Sequence, residues 1–585
     1  MVMYVTRSVA LFAAGSLVAL FGWAAARAQS PSSAEGNIIL VGSTLASDLE
    51  NGLALQKALN AVQPGDVLIL AAGAQFLGPF VLPVVPGASA TSPVTLQSSA
   101  LDSLPAAGER VDPTMAGFMP QLLDPSKAGT NRTAFDNNPY DACGCLNFAD
   151  GASYWQLTGL EVTCKYNNPW CYFGLVLIGN NEPDFAGGGG GLTARTVGGK
   201  GPQIRFTTGQ TALAQCPTNI LVDRCYIHGP ADFVGGYDAF GNPISKLKGG
   251  IELHADTATI QGCYISGIMG NDFETHGIYC ANGPGNYQIL NNYIEASCEN
   301  FFCGGAYPQL GVHNPHFTVE NVTFQFNHLK KPLSWCKWDP SYDGNHWLVK
   351  NLFELKAGNN WTIDSNILEN CWGGQSDQLG WAFVLTPRGT HNWQGLSTTP
   401  VSNITITNNL VLNCCGFIDM LSSDDAGPSG SLSNITITGN QAEGMLGTTN
   451  GGHGTMCYLL CGKASATGFV DIENNSFIGA SNGAFNQALA FSQQRRIMFP
   501  DFTFMNNVCI HGAEAQFTAY ASGNVATYGM DTSVAAAVIP NSTVTSNIFY
   551  KTAATDVNCP LGIISGGVYQ PGSDNNENPF KVPPK

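Results

Sequence analysis

From about residue 218 a short pattern recurs: two apolar residues flanking a polar one, two spacers, often an Asn, then apolar again. It reads Ile220-Leu221-Val222-Asp223-Arg224-Cys225-Tyr226-Ile227, then Ala258-Thr259-Ile260-Gln261-Gly262-Cys263-Tyr264-Ile265. Later copies include Tyr287–Ile294, Val322–Asn327, Trp361–Asn366, Ile404–Asn409, Ile435–Asn440, Val470–Asn475 and Phe502–Asn507, with a weaker one ending at Asn547. The column residues Cys225, Cys263, Asn292, Asn327, Asn366, Asn409, Asn440, Asn475, Asn507 and Asn547 stand 29 to 43 positions apart. Period-2 alternation with β-branched residues predicts a strand in each unit. Asn at a fixed strand end suits a sharp turn, because it tolerates the left-handed region. Stacked in register, those amides bond up the column. One strand per unit, joined by irregular loops, predicts an all-β chain folded as a right-handed parallel β-helix, a solenoid. Leucine-rich repeats would show regular Leu spacing, and a propeller needs several strands per unit.

The segments before the repeat fit that architecture. Leu53 to Val62 place Leu55, Ala58, Leu59 and Val62 on one helical face, followed by Pro64-Gly65-Asp66 and the strand Val67–Leu70. A short amphipathic helix near 53–62 would cap the open end of the stack. Long loop insertions are expected near 181–217, where five Gly run in succession at 187–191, and near 328–350. The reading is a single domain over 29–565 with a polar tail at 566–585. Residues 1–28 read as a signal peptide: Arg7, an apolar run from Val9 to Trp23, then small residues ending at Ala28. A membrane anchor is the rival reading, which lacks a stop-transfer flank. The protein is expected to be secreted or periplasmic, monomeric, and not inserted in a membrane once the signal is removed.

Charge narrows the partners. A formal net charge of −17 argues against nucleic acid. A hydrophobic content of 44% excludes intrinsic disorder. All 18 Cys follow the signal, which fits an oxidising compartment and disulfides, with Cys143/Cys145, Cys298/Cys303 and Cys457/Cys461 as local candidates. Zinc spacing is missing.

Chemistry concentrates in 328–391. Lys330, Lys331, Lys337, Lys350 and Lys356 fall within 27 positions, and Trp335, Trp338 and Trp347 are interleaved with them. Cations attract acidic sugars and Trp faces stack on sugar rings, so Lys331, Trp335, Lys337, Trp338 and Lys350 are expected to line a groove for an acidic polysaccharide. Alternation along Val349–Lys356 places Lys350, Leu352, Glu354 and Lys356 on one face and Asn351, Phe353 and Leu355 on the other. With the aromatic face inside, Lys350 and Lys356 would project outward, and Arg388 one coil on would share a patch with Lys356.

This stretch resembles the β-helix polysaccharide lyases of the chondroitinase B and alginate lyase type, in the pectate-lyase-like superfamily. The shared features are a strand ending in Lys356, a turn with Asn360, the column residue Asn366, and Arg388 on the following coil. The opening Gly52–Leu70 is also similar, and together these cover about a tenth of the chain. The segments 331–335 and 351–356 also look like a signature of exported bacterial β-helix proteins. The resemblance implies that Lys356 removes the proton beside a uronate carboxylate while Arg388 stabilises charge or assists the leaving group. Such lyases place acidic calcium ligands upstream of the Lys, where this chain has Val349 and Asn351, and Glu354 shares a face with Lys356.

Two further sets compete. Asn271-Asp272-Phe273-Glu274-Thr275-His276 offers Asp272 and Glu274 as calcium ligands, or with His276 as acid and base. Asp424-Asp425, Gly452-His453-Gly454 and Arg495-Arg496-Ile497 echo the polygalacturonase set without its first Asn-Thr-Asp element. The expected activity is therefore elimination on a uronate polymer. The alternatives are a glycoside hydrolase acting through either acid pair, or a non-catalytic envelope or adhesion protein.

Overall fold

A computed structural model describes residues 2–5, 36–127, 144–180, 193–205, 210–388, 399–510, 516–521, 539–551 and 568–571, apart from short gaps inside those spans. The signal segment lies outside them except for Val2–Val5, an antiparallel edge strand on Ile38–Val41.

The chain winds through three long sheets, of fifteen, fourteen and twelve strands. A representative coil runs Gly285–Leu290 in the first sheet, Tyr293–Ala296 in the second and Glu299–Cys303 in the third. From Ile38 on, the strands of these sheets pair in parallel with their counterparts one coil away, as Ile260, Ile289 and Phe324 do. This is the parallel β-helix, wound in the right-handed sense that parallel crossovers take. The sequence pattern predicts one strand per unit, and the structure has three. Strands of the first sheet alternate between buried and exposed positions, as Gly285–Leu290 does, and those of the second sheet that alternate are shorter, as His328–Lys330 is. Tyr293–Ala296 and Glu299–Cys303 are buried at every position, which removes the period-2 signal.

Apolar rows fill the interior. Ile289, Phe324, Ile363, Ile406, Ile437 and Ile472 follow one another in register and are fully buried. The turn from the first to the second sheet carries the Asn column. Its left-handed residue precedes each column residue, at Asn291, Phe326, Ser365, Asn408, Asn474 and Asn506 among others. The column Asn instead ties coils together. Asn409 Oδ1 accepts from the Asn366 backbone N–H and its Nδ2, both at 2.9 Å, while Asn409 Nδ2 donates to Ile363 O at 3.0 Å. At the first members Cys replaces Asn, and Cys263 Sγ donates to Val222 O at 3.6 Å. Replacing Asn409 with Ala strands the two Asn366 donors and the Ile363 carbonyl in a dry interior. The expected loss is about 3 kcal/mol, visible as a lower urea midpoint; an unchanged midpoint would mean the ladder adds nothing.

The capping helix spans Asp48–Leu59, starting earlier than the apolar periodicity alone suggests. Ser47 and Glu50 form its capping box. Gln56 shows how it closes the stack: its side chain bonds both the N–H and the carbonyl of Val81, at 2.9 and 3.1 Å, in the edge strand of the third sheet. Among the described residues no helix is long and apolar enough to cross a membrane.

Every described cysteine is buried. Cys298, Cys303 and Cys457 carry free thiols, so the local pairings read from spacing are not formed, and Cys143 lies outside the described residues. Cys303 stacks in register on Cys280 inside the coil, while Cys298 Sγ donates to Leu348 O at 3.3 Å. Burial pushes the Cys298 and Cys457 thiols up, and that of Cys216 to about 12. They act as small apolar side chains.

Candidate functional site on the third sheet

The outer face of the third sheet carries Glu354, with Lys356 and Arg388 just beyond the ends of its strands. Tyr279, Phe302, Glu354, Val384 and Asp419 are successive register partners across five coils. Phe353 and Leu355 fill the core, so Glu354 points outward between them. Lys356 follows the strand, its backbone N–H bonded to Cys303 O at 2.8 Å. Its ammonium lies 3.1 Å from Glu354 Oε1 and 5.1 Å from the centre of the Phe302 ring. Glu354 Oε2 accepts from Asn351 Nδ2 at 2.8 Å. The Lys356 side chain is 21% exposed, whereas Glu354 is buried.

Arg388 stands one coil on, and its N–H donates to Lys356 O at 3.1 Å. That bond brings the two residues together at one rim. The guanidinium, part-exposed, bonds Asp424 Oδ1 at 2.9 Å and also Asp425. Asp424 and Asp425 therefore serve Arg388 here. His453 and Arg495–Ile497, the rest of the polygalacturonase-like set, lie outside the described residues.

Lys350 does not project outward. It precedes the strand, in the bend, with its ammonium 2.6 Å from Glu274 Oε1 and 2.9 Å from Glu299 Oε1. Glu299 is fully buried, and its other oxygen is 3.2 Å from His276 Nδ1. Burial alone would neutralise this group, but the charges of Glu299, Glu354 and Glu274 outweigh it and hold Lys350 protonated. In return Lys350 and His276 hold the Glu299 carboxyl far below its usual range, against burial. His276 is itself buried and stacks on Tyr279, with ring centres 5.0 Å apart.

This arrangement bears on calcium. Asp272 lies outside the described residues. Glu274, its proposed companion, already meets an ammonium, as does Glu299 behind it, and the positions nearest Lys356 are Val349 and Asn351. In this structure one ammonium, that of Lys350, lies between the two carboxylates.

The expected groove along 328–350 is not a single surface. Lys331 is fully buried, donating to the carbonyls of Ala296, Ser297 and Cys298 at 2.6–3.0 Å and to Asn300 Oδ1 at 2.9 Å. An ammonium spent on four internal acceptors is not available to a polymer. Trp335 packs with Trp347 and Trp372 in an apolar layer beneath the loop. Lys337 and Trp338 remain at the surface, the ammonium 4.4 Å from the ring centre and bonded to Gly374 O at 2.7 Å. Lys330 is paired with Glu369 on the second sheet.

One residue escapes the sequence reading. Asp419 interrupts the apolar run Gly416-Phe417-Ile418-Asp419-Met420-Leu421 and faces outward, two coils from Glu354. Its Oδ1 is buried and meets no hydrogen-bond partner. Burial, with Glu354 adding and Arg388 subtracting, pushes its carboxyl up to about 8. A lone acid inside an otherwise apolar strand is the signal that marks it.

No family model and no curated protein matches the chain. Among solved structures it is similar to a mannuronic acid specific polysaccharide family 6 lyase from human gut microbiota, at 11% identity and a TM-score of 0.42, over 89% of this chain and 90% of that one. It is also similar to the lacto-N-biosidase of Eubacterium ramulus (11%, TM-score 0.39, 79% of this chain and 64% of that one). A third is the mannuronan C-5 epimerase A-module of Azotobacter vinelandii (11%, TM-score 0.34, 87% and 97%). At such identities the likeness concerns the path of the chain and says nothing of residue roles.

Proposed function

We propose that the protein cleaves a uronate-containing polysaccharide by β-elimination, working as a monomer outside the cytoplasm after removal of residues 1–28. The observation that carries this reading is the pairing of Lys356 and Arg388 at one rim, fixed by the bond between the Arg388 N–H and Lys356 O. In the amine form Lys356 takes the proton from C5 of the uronate. The electron pair left behind becomes the C4–C5 double bond as the C4–O4 bond breaks, and the departing oxygen gains a proton. Arg388 stays protonated and binds a carboxylate in two-pronged fashion. A uronate carboxylate would replace Asp425, which is more than half exposed, so one ion pair is exchanged for another. Phe302 and Glu354 hold the Lys356 head in place until the substrate arrives.

The test is ultraviolet absorbance during incubation with alginate, pectate and chondroitin. A rise from the unsaturated uronate is expected with at least one polymer. Reducing ends released without that absorbance would replace elimination by hydrolysis, and neither signal would leave a binding protein.

A further inference from the structure

We infer that Asp419 is the general acid of this site, delivering a proton to the glycosidic oxygen as it leaves the sugar. The inference takes its location from the proposed cleavage site but does not depend on elimination, since hydrolysis makes the same demand on a leaving oxygen.

Placement comes first. Lys356, Arg388 and Asp419 come from three successive coils of the third sheet, in the order base, cation, acid. Each coil advances about 4.8 Å, so Glu354 and Asp419, in one row with Val384 between them, stand roughly 10 Å apart at the backbone. A polymer lying along the stack meets all three in turn.

Environment comes next. The groups facing Asp419 are Glu354 two coils below, with Lys356 bound to it, Arg388 held by Asp424 and Asp425, and Tyr458 as register partner on the next coil. Both cations are committed to other carboxylates, and Asp419 Oδ1 has no donor of its own. A carboxylate left in that position pays for its desolvation without a partner, so the proton stays. Glu354, by contrast, has an ammonium on one oxygen and an amide on the other, so the two carboxyl groups of this site stand in opposite environments, the arrangement that separates an acid from a base.

Asp419→Asn tests this. The variant should lose about 100-fold or more in kcat on polymer, and the alkaline fall of the wild-type rate, centred near pH 8, should vanish from what remains. A uronoside carrying fluoride at C4 needs no proton on its leaving group, so the variant should turn it over nearly as fast as wild type. A purely structural role would slow both substrates alike and would overturn the inference, as would an intact alkaline limb in the variant. Unsaturated product with no such dependence sinks the acid but leaves elimination standing. Reducing ends without unsaturation, lost in the variant, sink elimination but keep the acid. No turnover of any polymer removes the role altogether. Melting temperature supplies a check free of activity. A carboxyl whose folded value is raised costs wild type stability as pH climbs from about 4 to about 8, so the variant should gain on wild type across that range. A difference constant with pH would show that Asp419 holds no proton.

Discussion

Lys350→Met should destabilise the protein by about 3–5 kcal/mol at neutral pH, the cost of removing one partner of a buried pair. The loss does not come from the methylenes, which Met largely replaces. It comes from Glu299, fully buried, whose Oε1 then faces neither ammonium nor water. His276 alone remains, against the other oxygen. The pH dependence identifies the cause. Because the folded Glu299 carboxyl is held far below its usual range, the stability it contributes is present above about pH 4.5 and is lost as pH falls below that. In the variant the carboxyl takes up a proton at a higher pH, and its penalty shrinks on acidification. The gap between wild type and variant in urea midpoint should therefore be widest near pH 7 and narrow toward pH 4. Adding Glu299→Gln to Lys350→Met should recover part of the loss, since the stranded charge is then absent. A gap independent of pH, with no recovery in the double variant, would show that Lys350 matters only for packing.

The same residue shows where sequence reading stops. The Asn column was legible because the first sheet faces solvent on one side and alternates, and because each turn repeats the same residue type. Lys350 departs from that alternation because the strand begins only at Phe353, and three positions earlier the period of two no longer applies. Its partner Glu274 lies 76 positions away, a separation that no local pattern encodes. Lys331 deceived for the same reason. A lysine-rich run looks like a solvated face, yet this side chain plugs the turn between the second and third sheets one coil below. The pair Lys356 and Arg388 is readable because both residues closely follow strands of adjacent coils, where register sets the neighbours. Asp419 was passed over because its importance lies in a missing partner, which only the surrounding fold reveals.

Lys356→Ala should abolish turnover, by roughly 10²–10⁴-fold as expected for loss of a positioned base, while the urea midpoint stays close to wild type. The contrast with Lys350 follows from position. The Lys356 head is part-exposed, and Glu354, though buried, keeps the Asn351 amide on its other oxygen, so the loss should fall well below that at Lys350. Lys356→Arg separates the two duties of the residue. Arg preserves the positive charge and the contact with Glu354 but does not give up its proton, so a proton-abstracting role predicts that this variant is as inactive as Ala. Arg388→Ala should instead weaken KM strongly, since its part is to bind a carboxylate, and should also free Asp424 and Asp425 to repel the polymer. Turnover by Lys356→Arg at near wild-type rate would show that position 356 supplies charge alone, and the base would then have to be sought in Glu354 itself, the carboxylate that faces the same rim.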